Sequence, residues 1–249
     1  MPPKKKNTSV IAICIQEPKE DGSQLNLGAI QGDDLRFLHQ AFITDTIVNA
    51  LQVTTASVRL YYINEPERVR LVKIISEYLG GKLTGKLQEA LQKRFSTHEM
   101  ELDRWGVRIE KAFKDCFAAG FANVMLIGSR TPTVTSKMMK TTLRMLEQSD
   151  AVFGPTPEGR YYAIGMSGEC RINLSDFDWK SPSIYSEVAG AFSEQKLGWS
   201  ELEIWYAVES VDELDFMARD INQFRFEQDE LTARETELVM ERLISRLES

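Results

Sequence analysis

The chain has 249 residues, 43% apolar and 27% charged, enough for one large α/β domain with a sizeable core, or for one domain plus an appendage. Its formal net charge of −7, with an isoelectric point near 5.1, argues against a nucleic-acid partner, which needs a clustered basic face. No apolar run approaches the ~20 residues of a membrane span, and the start MPPKKKNTSV lacks the apolar segment of a signal peptide, so a cytoplasmic protein with no membrane contact is expected.

Lys4, Lys5 and Lys6 read as part of a solvated, disordered leader over residues 1–8. SVIAICI, Ser9 to Ile15, is a nearly continuous apolar run, as suits a parallel strand covered on both faces. After Pro18 and Gly22, the stretch from Asp33 to Gln52 places Leu35, Leu38, Phe42, Ile47 and Leu51 near helical spacing. SVRLYYI, Ser57 to Ile63, predicts a second strand. Pro66 opens another helix with Val69, Val72, Ile75 and Leu79 inward, and Gly80-Gly81 is expected to end it. Residues 86–120 read as mostly helical, with two helices meeting near Ser96 to His98 and a stop at Gly120.

NVMLIG predicts the third strand, followed by a helix in TSKMMKTTLRMLEQ and by short strands in DAVFGP and RYYAIGM. A helix is expected in SPSIYSEVAGAFSEQKLG, then a strand through SELEIWYAV, then a helix with Ser210 as N-cap. Alternation of strands and helices from residue 9 to about 219 predicts an α/β fold with a mainly parallel sheet. From residue 226 to 249 the pattern becomes a charged helix whose Leu231, Leu238, Val239, Leu243 and Leu247 must bury on their own domain or against a second chain. The expected organisation is a leader (1–8), an α/β domain (9–225) and a C-terminal helical extension (226–249) that offers a contact for a homodimer or protein partner.

Three places suit chemistry. The first is GSRTP, where a buried strand ends by presenting Ser129, Arg130 and Thr131 at the sheet edge that binds ligands in open α/β sheets. The second is the loop FGPTPEGRYYAIG, with Glu158, Gly159, Arg160 and Tyr161 at its tip. The third is YAVESVDEL, where Glu209 follows a strand just before a helix. A plainer alternative stands beside each: Arg130 and Arg160 pair with Glu158 or Glu209, and Glu209 and Glu213 favour the positive end of the next helix. The carboxylates Asp176 and Asp178 of DFD have cation-ligand spacing but lie in a loop where that spacing is common by chance. Cys14, Cys116 and Cys170 are widely spaced and far from His39 and His98, so neither a disulfide framework nor a zinc site follows, and no nucleophilic triad can be argued.

Taken in order, these stretches resemble a bacterial and archaeal family of glycosyltransferase-A-like (GT-A-like) proteins, of the selenodomain-associated transferase type, over residues 9 to 219. The resemblance implies a three-layer sandwich of the nucleotide-diphospho-sugar transferase kind, with a nucleotide or nucleotide sugar as ligand and Mg or Mn as the family cation. The family's strand ending in Gly-Thr-Asp-Ser-Pro is similar to GSRTP, its Gly-Pro-x-x-Asp-Gly-Gly-Tyr-Tyr-x-x-Gly to GPTPEGRYYAIG, its tryptophan before Ser/Thr-Pro to Trp179, and its closing Asp-Val-Asp-Thr-Pro-Glu-Asp-Leu to AVESVDEL. Its Leu-Gly-Glu-Arg-like segment is similar to LTGKLQEAL, Leu83 to Leu91.

The departures fall on chemistry. Arg130 stands in place of the strand-end aspartate, Glu158 in place of the loop aspartate, Arg160 in place of a glycine, and Ala207 and Glu209 in place of the closing aspartates. SQLN or QLNL stands where a basic segment would meet phosphate. Gly128, Pro132, Gly154, Pro155, Gly159, Tyr161, Tyr162 and Gly165 keep the backbone frame. An arginine in place of a cation-binding carboxylate changes local charge by about two units and stays protonated at working pH, so no resident metal is expected.

Two functions follow from this. In the favoured one, catalysis is lost and the scaffold serves as a binding, regulatory or assembly protein. In the alternative, a metal-independent glycosyltransferase or nucleotidyltransferase uses Arg130, with Arg160, to clamp phosphate in place of the cation. There Ser129 and Thr131 donate hydrogen bonds, Gly159 and Tyr161 shape the ligand site, and Glu158 or Glu209 acts as catalytic base or sugar-hydroxyl ligand.

Overall fold

A computed structural model describes residues 8–15 and 25–247; the expected leader, apart from Thr8, and Ser23 and Gln24 of the stretch in which the basic segment is missing lie outside the described residues. Strand β1 (Ser9–Cys14) is buried at every position. Its alternate side chains go to opposite faces: Ile11 and Ile13 join one apolar cluster, Val10, Ala12 and Cys14 another. A continuous apolar run is therefore required here, because helices cover both faces of the sheet.

The first face is covered by α1 (Gly32–Leu51), α2 (Pro66–Lys82), α3 (Gly85–Arg94) and α5 (Ser136–Met145). The second is covered by α4 (Trp105–Ala118) and α6 (Ile184–Glu194). Between them lies a seven-stranded sheet of order β3-β2-β1-β4-β6-β5-β7, with β2 at Ala56–Ile63, β3 at Phe95–Met100, β4 at Asn123–Gly128, β5 at Ala151–Pro155, β6 at Tyr161–Ser167 and β7 at Trp199–Glu201. All neighbours pair in parallel except β6, which runs against both β4 and β5. This is the mainly parallel three-layer sandwich expected from the sequence. The C-terminal ends of β1 and β4 lie side by side, Cys14 opposite Gly128.

Three elements differ from expectation. Residues 95–100 form edge strand β3, parallel to β2, rather than a helix junction. Its sequence FSTHEM is mostly polar because an edge strand faces solvent, which removes the apolar pattern by which strands are recognised. Gly80 and Gly81 lie inside α2, which runs on to Lys82. Of the expected strand SELEIWYAV, Ser200 to Val208, only Ser200 and Glu201 pair within the sheet, as part of β7. Beyond it the chain crosses the strand ends, with Leu202 N donating to Phe153 O at 2.9 Å, Trp205 N to Pro155 O at 3.1 Å and Val208 N to Arg130 O at 2.8 Å. That crossing delivers Glu209 to the end of β4.

Helix α7 (Val211–Phe226) starts at the expected cap: the Ser210 hydroxyl accepts from the helix backbone and Glu213 reaches back to Ser210 N at 2.6 Å, a capping box. Helix α8 (Arg234–Leu247) begins later than residue 226 and packs on α1, with Leu243 buried and Val239 and Met240 partly so; the chain's own domain covers these members of the expected stripe, while Leu231, which precedes the helix, stays 43% exposed. Because α8 covers the flank of α1 that faces away from the sheet, α1 is buried almost all round, including His39, Thr44, Asp45, Thr46 and Asn49. Burying polar groups requires hydrogen bonds. Thr44 and Thr46 bond carbonyls one turn back, and Asn49 Nδ2 donates to Pro132 O at 2.9 Å and Val134 O at 3.2 Å, pinning the turn that follows β4.

Asp45, 1% exposed, accepts from Glu235 N at 3.0 Å and Thr236 N at 2.8 Å, so a carboxyl on α1 caps the start of α8. Burial pushes this carboxyl up from 3.8 to about 7 against the lowering effect of those bonds. An acid with a raised folded-state value holds its proton more tightly than the unfolded chain does. Its stabilisation is therefore full below the unfolded value and is lost as pH rises through the folded one. The stability advantage of the natural chain over Asp45→Asn should shrink between about pH 4 and about pH 7.5. Urea midpoints at both values test this, and a constant difference would refute it.

Candidate functional site

β4 ends at Gly128, and the next three residues are fully or almost fully buried: Ser129 at 0%, Arg130 at 3% and Thr131 at 1% exposure. The hydroxyl and carbonyl of Thr131 shape the turn, the hydroxyl donating to Gly128 O at 2.9 Å and the carbonyl accepting from Val134 N at 3.1 Å. That hydroxyl therefore serves the backbone instead of being offered to a ligand as expected. Ser129 Oγ lies 3.2 Å from His39 Nε2, a buried pair bridging β4 and α1. Sequence reading left His39 aside as one residue in a helical pattern. The signal was weak, since the two positions lie 90 residues apart and meet only when α1 packs under the end of β4.

Arg130 Nη1 lies 3.5 Å from Glu209 Oε1, and Arg160 Nη1 pairs with Glu209 Oε2. The structure thus brings all three predicted places together at one carboxylate. Of the two acceptors open in the sequence, Glu209 takes both arginines. The positions are tied by backbone as well, Val208 N to Arg130 O at 2.8 Å and Asn26 N to Glu209 O at 2.9 Å.

Glu158 goes elsewhere. It is exposed and lines a cavity with Trp205, Tyr206 and Phe216, whereas the Glu209 carboxylate is taken by the two arginines. The β5–β6 loop itself is rigid by construction. Thr156 N donates to Arg160 O at 3.1 Å, the Thr156 hydroxyl accepts from Arg160 N at 3.2 Å, and Gly159 turns it with a φ of 75°.

Tyr161 points into the second apolar layer rather than toward the arginines. Its hydroxyl accepts from Trp105 Nε1, and its ring meets Trp179 edge-on at 4.8 Å. Burial pushes its phenol well above the ordinary range. Trp179, a residue of the family resemblance, donates from Nε1 to Leu174 O at 2.8 Å over Gly106, where an added Cβ would sit 2.6 Å from that same oxygen. Retained aromatics of the motif thus build the wall behind β6.

The donor set does not fit a divalent cation. Hard cations take several oxygen ligands, commonly carboxylates. Among the described residues, the carboxylate that meets Arg130 at the end of β4, Glu209, is shared by two guanidinium groups. Asp176 accepts from Asn173 Nδ2 and Asp178 from Lys180 N, local loop roles rather than a cation site. Among the described residues no group of three or more His, Cys, Asp or Glu side chains is placed to hold a metal. Among the described residues, the end of β4 brings two arginines onto one shared glutamate.

Residues 71–181 match the family model "Uncharacterized protein conserved in bacteria (DUF2064)". The DUF2064 segment runs from α2 to the approach to α6 and contains GSRTP, GPTPEGRYYAIG and Trp179; Glu209 lies beyond it. No curated protein matches the chain. Among solved structures, one described as a "putative nucleotide-diphospho-sugar transferase" from Desulfovibrio desulfuricans G20 is 22% identical, with a TM-score of 0.69 over 94% of this chain and 97% of that one. A 4-diphosphocytidyl-2C-methyl-D-erythritol synthase from Anaerococcus prevotii DSM 20548 is 10% identical, with a TM-score of 0.51 over 87% and 97%. The fold is therefore GT-A-like, as the motifs implied. Among the described residues no helix is long and apolar enough to cross a membrane.

Proposed function

We propose that this chain is a GT-A-fold protein that has given up metal-dependent transfer and works in the cytoplasm as a binding, regulatory or assembly protein. The observation that carries this reading is the shared ion pair. Arg130, buried at the strand end where the resemblance calls for a cation-binding aspartate, and Arg160 both engage Glu209. A buried guanidinium is fixed in its charge and repels a divalent cation. The pair links β4, the β5–β6 loop and the start of α7, so it acts as a structural tie across the former cleft. Assembly through residues 226–249 would use the apolar side chains left exposed there, such as Phe226 at 84% and Ile244 at 50%, since the opposite face of α8 lies on α1.

A second reading is favoured by the meeting of two arginines, Arg130 and Arg160, at the shared carboxylate of Glu209. A nucleotide phosphate displacing Glu209 would meet Arg130 and Arg160 directly, as guanidinium groups suit bidentate phosphate recognition. Thermal unfolding against nucleotides and nucleotide sugars, with and without Mg or Mn, separates the readings. A bound ligand at a hundred times its dissociation constant raises stability by roughly 2.7 kcal/mol. The proposal expects no metal-dependent shift and no turnover of any nucleotide sugar. A metal-independent shift with turnover would establish the second reading, and a shift requiring metal would overturn both.

A further inference from the structure

The cavity that takes Glu158 has a chemistry of its own. It holds about 280 Å³ between the β5–β6 loop, the segment after β7 and helix α7. Its apolar surface is aromatic: Trp205 and Tyr206 stack at 5.2 Å and 19°, and Phe216 lies 6.2 Å from Tyr206. The polar tips of the first two are already satisfied, Trp205 Nε1 by Thr133 Oγ1 at 3.2 Å and the Tyr206 hydroxyl by Asp220. Phe216 at 43% and Ile204 at 61% exposure leave this surface open to solvent.

Charge around it is one-sided. Glu158, Glu213 and Asp220 line the cavity against a single cation, Arg219. Glu213 is held in place by Ser210 N at 2.6 Å, and Asp220 by the Tyr206 hydroxyl. An aromatic surface ringed by carboxylates attracts an organic cation twice, through the negative faces of the rings and through the acids. The same ring repels anions, and a neutral apolar guest would forgo the acids.

We propose that this cavity binds a small organic cation: an ammonium group carried on one aryl or short alkyl body. The volume lies just below the usual range of ligand pockets, about 300 to 1,000 Å³, so a single ring with a short arm fills it. The site uses neither Arg130 nor Arg160 and stands or falls apart from the reading of the strand-end site.

Calorimetric titration of the full chain with phenethylammonium, phenethyl alcohol and 3-phenylpropanoate tests it. Saturable binding of the cation is expected, with the alcohol at least about tenfold weaker and the carboxylate silent. Glu158→Gln together with Asp220→Asn should weaken the cation at least about tenfold, since each amide keeps the shape and removes a charge. Glu158→Gln alone, at an exposed position on which folding does not depend, should weaken it about threefold, and Phe216→Ala should weaken all aryl guests. Arg160→Met should leave the affinity unchanged. Absence of saturable cation binding, equal binding of the alcohol, or unchanged affinity in Glu158→Gln and in the double variant would each overturn the proposal.

Discussion

Glu209→Gln is expected to lower the unfolding free energy by about 3 kcal/mol, and adding Arg130→Met to it should restore at least half of that loss. Arg130 is 3% exposed and Glu209 26%, so the guanidinium depends on its partner for compensation far more than a surface pair would. Removing the carboxylate leaves a buried positive charge less balanced. Removing both leaves an apolar side chain of similar length in an interior site, which is close to neutral for buried ion pairs. Arg160→Met should cost less than about 1 kcal/mol, because Arg160 is 45% exposed and solvent screens its pair. Urea unfolding of the three variants is the measurement. A double variant less stable than Glu209→Gln would refute the account of Arg130 as a charge held by Glu209.

Gly159→Ala should cost about 3 kcal/mol, while Gly168→Ala should cost only about 1. The two glycines share a backbone region, with φ of 75° and 80°, so the left-handed penalty is common to both. They differ in their surroundings. A Cβ on Gly159 would meet Pro182 O at 2.4 Å, whereas one on Gly168 would meet nothing within 4 Å. Relief is blocked because Gly159 O accepts from Tyr185 N at 3.2 Å, tying the loop to the start of α6, while Thr156 holds Arg160 on the other side. Equal losses in thermal or urea unfolding would mean that the loop yields freely, and the rigid presentation of Arg160 to Glu209 would then have no support.

Much of this architecture was legible in the residues. β1 and β4 announced themselves as unbroken apolar runs because both faces of a central parallel strand are dry, and Ser210 with Glu213 announced the start of α7 because helix ends need side-chain acceptors. The GSRTP and GPTPEGRYYAIG stretches led to the GT-A-like fold through glycines and prolines whose backbone geometry few other residues can supply. Illegible were the features that depend on a neighbour distant in sequence. β3 is polar because it is an edge, and Asp45 and Asn49 look like outward helix positions until α8 and the turn after β4 are laid against them.

The sequence by itself determined the alternation of strands and helices and the strand-end location of Arg130, since these follow from local pattern, while the departure of that position from a cation-binding carboxylate is what the family resemblance implies. Only the tertiary structure decided which glutamate answers the arginines. Glu158 is two residues from Arg160 in sequence and yet lines the aromatic cavity, while Glu209, 49 residues away, takes the pair. The reason is backbone routing: a tight loop turns at Gly159 between Glu158 and Arg160, and the crossing segment bonded at Arg130 O brings Glu209 to the end of β4.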